Sequence, residues 1–194
     1  MIVSQAELFS PTLPEGFRYQ PDFLTVQEEA ELVDAIHDQK FEAFDFHGYT
    51  ARRRTIEYGL EYDFRRRRPS PTRPFPDFLL PVRERAAEFT GMSSHNLVEG
   101  IIIEYPPGAP MGWHRDAPQF GTVIGISLVN PARMRLKPHS EEGKIVSVTL
   151  EPRSIYVLSG PVRWQWQHSI PAMEKLRYSI TFRTLRADEQ SRAM

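Results

Sequence analysis

From residue 97 to residue 185 the chain is divided into seven short segments rich in β-branched and aromatic residues: "LVEGIIIEY", "TVIGISLV", "RMRLK", "IVSVTLE", "SIYVLS", "VRWQWQH" and "RYSITFRTL". Pro, Gly, Asn and Ser separate them, and residues of this kind favour a pleated, half-buried backbone. Ahead of them, "TVQEEAELVDAIHDQ" begins with Thr25 and places Glu28 three positions later, a capping-box pattern that sets Val26, Ala30 and Val33 on one helical face. A second helix is predicted in "PVRERAAEFTG", opening at Pro81 and stopping before Gly91. Seven strands after a helical N-terminal third predict an antiparallel sandwich or barrel braced by helices.

With 194 residues the chain is long enough for one substantial core and short for two. The expected organisation is a single domain over 1–194, with a helical part over 1–96 and a strand-rich core over 97–186. No apolar run reaches the length a membrane helix needs, and "MIVSQAELFSPTLPEGF" lacks the basic-then-apolar order of a secretion signal. A soluble, cytoplasmic protein without membrane contact is the expectation, as a monomer. There is no cysteine, so any metal must be held by His and carboxylate.

The net charge of −1 hides a polarity along the chain. Residues 1–51 hold ten acids against Arg18 and Lys40, whereas residues 52–74 hold eight arginines against Glu57, Glu61 and Asp63. The bland reading of this strip is a solvated arginine-rich loop, and the functional reading is a phosphate-contacting surface. Its "EYDFRRRRPSPTRPFP" portion, with four prolines, reads as an extended surface segment.

"MGWHRDAPQFG" carries His114 and Asp116 two residues apart, so in an extended segment both side chains project from one face. In "VRWQWQH", Val162, Trp164, Trp166 and His168 share one face if the segment is a strand, and His168 ends that stripe either as a buried structural imidazole or as a ligand. Two His and one carboxylate form the set that occupies one face of a non-haem Fe(II) and leaves other positions open. In "RYSITFRTL", Arg177, Ser179, Thr181 and Arg183 alternate with Tyr178, Ile180 and Phe182. An outward polar face is the plain explanation. The alternative is a grip on a dicarboxylate such as 2-oxoglutarate by two arginine forks pointing the same way.

Together "YPPGAPMGWHRD", "HSIP" and "RYSITFR", with the preceding "RRRTIEYG", resemble the signature blocks of the AlkB-like Fe(II)/2-oxoglutarate-dependent dioxygenases over roughly residues 40–186. The resemblance implies a mainly β fold with flanking helices (α+β) around a double-stranded β-helix, or jelly-roll, core. It implies that His114, Asp116 and His168 hold the iron, that Arg177 pairs with the distal carboxylate of 2-oxoglutarate, that Tyr105 hydrogen-bonds to the co-substrate, and that Arg183 lies near its keto-acid end. Ser179 stands where several relatives carry a co-substrate Asn. The implied reaction uses O2, releases succinate and CO2, and removes an N-methyl group as formaldehyde.

"RRRTIEYGLEYDF" looks like the family's nucleotide-recognition hairpin, near 48–66, which implies that Arg53, Tyr58, Tyr62 and Phe64 sandwich an extruded base. Arg52, Arg54 and Arg65 to Arg68 would then meet phosphates. Packing of these aromatics on the core is the competing explanation. Ile103 stands where many relatives have Asn, and Ala117-Pro118-Gln119 follows Asp116 where DNA-repair relatives place an acid. Three functions stay open: oxidative demethylation of alkylated DNA or RNA, the same chemistry on a methylated protein or small molecule, and a non-catalytic jelly-roll binding module.

Overall fold

The computed structural model describes residues 13–46, 49–63, 68–140 and 143–186. In chain order it contains β1 (Phe17–Gln20), α1 (Val26–His37), β2 (Glu42–Phe46), β3 (Tyr49–Asp63), β4 (Arg68–Pro71), α2 (Leu80–Thr90), β5 (Leu97–Tyr105), β6 (Met111–His114), β7 (Phe120–Leu128), β8 (Ala132–Pro138), β9 (Val146–Leu150), β10 (Ile155–Leu158), α3 (Gly160–Gln165), β11 (Trp166–Ile170) and β12 (Arg177–Leu185). Among the described residues no helix is long and apolar enough to cross a membrane.

Two antiparallel sheets face each other. The major sheet runs β1-β10-β7-β12-β5-β3-β2, with β4 added to β3, and the minor sheet runs β6-β11-β8-β9. The eight strands from β5 to β12 switch between sheets as a jelly roll does, which leaves an interior between the layers. Strand parity sorts the major sheet into two faces. Ile102, Ile124, Ile126, Ile180 and Phe182 form one face and pack with Leu32 and Ile36 of α1 and Val82 and Ala86 of α2. Each fully buried side chain of this kind contributes roughly 1.5–3 kcal/mol. Ile101, Ile103 and Tyr105 point the other way, into the interior between the sheets, with Ala109, Ala132 and Ile170.

The helices follow local signals. Thr25 accepts from the Glu28 N–H while the Glu28 carboxylate accepts from the Thr25 N–H, closing the capping box. The buried stripe of α1, however, is Leu32 and Ile36, and Val26 is 71% exposed. The predicted stripe through Val26 is therefore rotated, because an i, i+4 pair of larger side chains meets the sheet. In α2, Pro81 lies in the first turn and Gly91 ends the helix at φ +73. That left-handed angle suits glycine.

Three expectations are corrected. The N-terminal part is not mainly helical, since β1 to β4 extend the major sheet there. "VRWQWQH" is not one strand: α3 runs to Gln165 and only Trp166 onward is extended, so Val162 and Trp164 do not share a strand face with His168. Pro161 in the first turn starts that helix, a position where its missing N–H costs nothing. The polar face of β12 is not outward; Arg177, Ser179 and Thr181 are buried because the minor sheet covers that side.

Candidate metal and co-substrate centre

His114 ends β6, His168 lies in β11, and the two are direct cross-strand partners. Their ring centroids are 4.2 Å apart. The His114 Nδ1 lies 2.9 Å from the Gly112 carbonyl. A carbonyl only accepts, so Nδ1 is the donor of this bond and Nε2 is the nitrogen left to face a metal. Asp116 follows β6 by two residues, and its Oδ2 is 3.7 Å from His168 Nε2. One ligand atom from each of His114, Asp116 and His168 can be chosen so that all three lie within 4.8 Å of one another. Metal–ligand bonds near 2.0–2.2 Å then need only small side-chain rotations to close on one ion.

The electrostatics fit a cation. Asp116 Oδ2 is buried and has no hydrogen-bond partner, while Oδ1 accepts from Arg183 Nη2 at 2.5 Å. Burial alone would raise the Asp116 carboxyl, but Arg183 and then the two imidazoles outweigh it and hold the group well below the usual carboxylate range. Burial, with His114 alongside, pushes His168 down to about 3, so it stays neutral with its lone pair available. A nitrogen–nitrogen–oxygen donor set without sulfur suits a ferrous ion.

Arg177 is the second anomaly. Its side chain is 1% exposed, its Nε donates to Ser127 Oγ at 3.1 Å, and its Cζ lies 5.0 Å from the Tyr105 ring. Both terminal nitrogens are buried without a partner. A guanidinium held this way is costly unless an anion completes it, and its fork matches a carboxylate. Burial raises the Tyr105 phenol against Arg177, Arg53 and a hydrogen bond with Ser179, so the hydroxyl remains a donor. Ile103 lies in the apolar interior patch, so this part of the wall is hydrocarbon.

Arg183, expected near the keto-acid end of the co-substrate, has its terminal nitrogens on Asp116 and on Glu99 Oε2, the latter at 2.7 Å, and keeps a buried Nε without a hydrogen-bond partner. Other contributors were not legible in the sequence. Arg163 of α3 is 3% exposed and donates to the carbonyls of Ala117, Phe120 and Gly121 at 2.8, 2.7 and 2.8 Å, so it fixes the loop that leaves Asp116. Tyr156 reaches over Gly125, its cross-strand partner. A Cβ at Gly125 would lie 2.1 Å from the tyrosine ring, so only glycine admits that phenol to the interior.

The expected substrate residues separate by parity. Arg53 is half-buried on β3 and interacts with Tyr105, which brings it to the edge of the centre. Tyr58, five positions after Arg53, lies on the opposite face: it is buried in the helix-side core, stacks near Phe75 and donates to Gln39 Oε1 at 3.2 Å. Its expected role against a base is corrected, because no face of the ring is open. Arg54 forks onto Glu104 at 2.7–2.9 Å, so its charge is already paired within the protein. The side chain of Tyr62, with Phe64 and Arg65 to Arg67, lies outside the described residues.

Comparison with known proteins agrees with this geometry. The sequence profile of the 2OG-Fe(II) oxygenase superfamily matches residues 16–183. The chain is 28% identical over 198 residues to the "Alkylated DNA repair protein ALKBH8 homolog" of Arabidopsis thaliana, covering 88% of this chain and 56% of that protein. It is 24% identical over 174 residues to the "tRNA (carboxymethyluridine(34)-5-O)-methyltransferase alkbh8" of Xenopus tropicalis, covering 84% of this chain and 26% of that protein. The chain thus spans about half and about a quarter of these two relatives. The solved structure of OsALKBH1 superimposes with a TM-score of 0.68 at 13% identity, over 90% of this chain and 99% of that one. Profile, fold and donor set converge: the chain belongs to the 2OG-Fe(II) oxygenase superfamily as an AlkB-like dioxygenase, with Fe(II), 2-oxoglutarate and O2 as its cofactor and co-substrates.

Proposed function

We propose that this chain oxidatively demethylates N-alkylated bases in DNA or RNA, acting as a cytoplasmic monomer. The observation that carries the chemistry is the pair of unmatched buried groups, Asp116 Oδ2 facing two imidazoles and the Arg177 fork facing the same interior. His114, Asp116 and His168 hold the iron, and Arg177 takes the distal carboxylate of 2-oxoglutarate. Tyr105 and Ser179 donate to the co-substrate. Fe(II) bound with 2-oxoglutarate and O2 supplies the oxidising power, releasing succinate and CO2. Ionised Asp116 and neutral His168 keep their donor atoms ready at neutral pH. Ile101, Ile103 and Met173 keep water from that wall. An N-methyl group hydroxylated here becomes a hydroxymethyl amine, which expels formaldehyde and restores the base.

Nucleic acid is favoured by Arg53 beside Tyr105 and by the arginine-rich strip over 52–74. The two relatives carry names for alkylated DNA repair and for tRNA modification, and both name nucleic acids. A methylated protein is the second reading, favoured by the absence of an acid in Ala117-Pro118-Gln119. Formaldehyde release on an N-methylated oligonucleotide, compared with its unmethylated form and with a methyl-lysine peptide, separates them. Release on the peptide alone overturns the nucleic-acid reading.

A further inference from the structure

The outer face of the minor sheet carries charge of one sign. In β8, Met134 and Leu136 point inward and are buried, so parity turns Arg133, Arg135 and Lys137 outward. Ser169 and Gln167 of β11 are register partners of Arg135 and Lys137, and Ser147 and Thr149 of β9 are partners of Arg135 and Arg133. No acid occupies any of these positions.

Five arginines elsewhere in the molecule are neutralised by acids. Arg54, Arg73, Arg85, Arg153 and Arg183 each meet a carboxylate. Among the described residues, Arg133, Arg135 and Lys137 form no such pair. Two of the three are nevertheless ordered: the Arg135 Cζ and Lys137 Nζ lie 5.0 and 4.6 Å from the Trp113 ring centroid, and Arg135 Nε donates to Ser169 Oγ at 3.1 Å. Cations held over an aromatic ring lose less freedom when they meet an anion. Alternate residues of a strand repeat at about 6.6–6.8 Å, a spacing comparable to successive phosphates of an extended single strand. Trp113 precedes His114 and Ser169 follows His168, so the strands bearing this surface also bear two of the site's imidazoles.

We propose that Arg133, Arg135 and Lys137 form a track for the sugar–phosphate backbone of a single-stranded nucleic acid, running along the outside of the minor sheet. It is distinct from the 52–74 strip and rests on the nucleic-acid reading above. The track contacts phosphates, so it holds a strand without reading its sequence.

The test is fluorescence anisotropy of a labelled oligothymidylate over a salt series, using the whole chain and a variant combining Arg133→Gln, Arg135→Gln and Lys137→Gln. Three lost phosphate contacts on a single strand lower the slope of log affinity against log salt by about 2. Turnover of 2-oxoglutarate without nucleic acid stays unchanged. A double variant, Arg133→Gln with Lys137→Gln, spares the bond to Ser169 and guards against misfolding; its slope falls by about 1.4. Unchanged slopes in both variants, with the wild type binding, overturn the track while the substrate reading stands. A wild type that binds neither DNA nor RNA overturns that reading and the track with it. Loss of polyglutamate binding in place of oligonucleotide binding assigns the face to an acidic protein and overturns the proposal.

Discussion

Arg183 holds one oxygen of Asp116, Nη2 to Oδ1 at 2.5 Å, and leaves Oδ2 buried beside His168. The carboxylate is thereby turned so that a single oxygen faces the two imidazoles. Asp116→Asn offers a neutral ligand and loses the balance of charge against Arg183. Arg183→Gln or Arg163→Gln leaves the ligand but frees its orientation, from the side chain and from the loop respectively. Residues that orient metal ligands are worth about 10–100-fold in affinity. Anaerobic titration with Fe(II) or Co(II) below the melting temperature is expected to show that loss in Arg183→Gln and Arg163→Gln and a larger one in Asp116→Asn. Full affinity in Asp116→Asn would count against the metal assignment.

Arg177→Met tests the co-substrate fork by stability. A buried guanidinium without an anion is a liability, and apolar replacement of buried charge is often neutral or stabilising by about 1–4 kcal/mol. Without 2-oxoglutarate the variant is expected to melt no lower than the wild type. At a hundredfold excess over its dissociation constant, 2-oxoglutarate stabilises the metal-loaded wild type by about 2.7 kcal/mol. The variant should gain almost none of this. An equal gain in both proteins, read by differential scanning calorimetry, would move the carboxylate elsewhere.

Glu99 gives a pH signature in the metal-free protein. Burial raises its carboxyl to about 7 from 4.5, against the opposing pull of Arg183. A carboxyl raised on folding contributes stability that is complete below pH 4.5 and is lost as pH rises through 7. His168, lowered to about 3 from 6.5, acts in the opposite sense between those values, so the comparison with a variant is decisive. Glu99→Gln should remove a decline in stability between pH 4.5 and 7, measured as the wild-type minus variant difference in denaturant unfolding. A difference that does not vary with pH would reject the assignment.

Tyr58→Phe and Arg53→Ala should differ in kind. The first loses the bond to Gln39, worth about 1 kcal/mol of fold stability, and leaves oligonucleotide affinity alone. The second weakens substrate engagement and leaves uncoupled 2-oxoglutarate turnover intact. Loss of oligonucleotide affinity in Tyr58→Phe, with its melting temperature unchanged, would restore the aromatic to the substrate.

That pair also marks where the sequence stops being informative. The stretch 97–105 was readable as a strand because "LVEGIIIEY" has no turn residue within it apart from Gly100, and β5 spans those same residues. Thr25 with Glu28 and Gly91 at the end of α2 were readable because caps are local. His114, Asp116 and His168 were readable as a set, and the fold brings their ligand atoms together. Sheet faces were less accessible. Nothing in "RYSITFR" says that a second sheet will cover its polar side, and nothing in "RRRTIEY" says which parity meets the helices. Arg163 was hidden because its partners are backbone carbonyls of a distant loop. Tyr156 was hidden because its place depends on the missing side chain of Gly125.

The central claim is that one interior holds the iron on His114, Asp116 and His168 and the co-substrate on Arg177. Crystals grown anaerobically with Fe(II) and 2-oxoglutarate, measured at the iron absorption edge, test it in one experiment. The account predicts a single iron peak bounded by those three side chains, with the distal carboxylate of 2-oxoglutarate paired to the Arg177 fork. Iron bound elsewhere, or a co-substrate that leaves Arg177 without a partner, would contradict it.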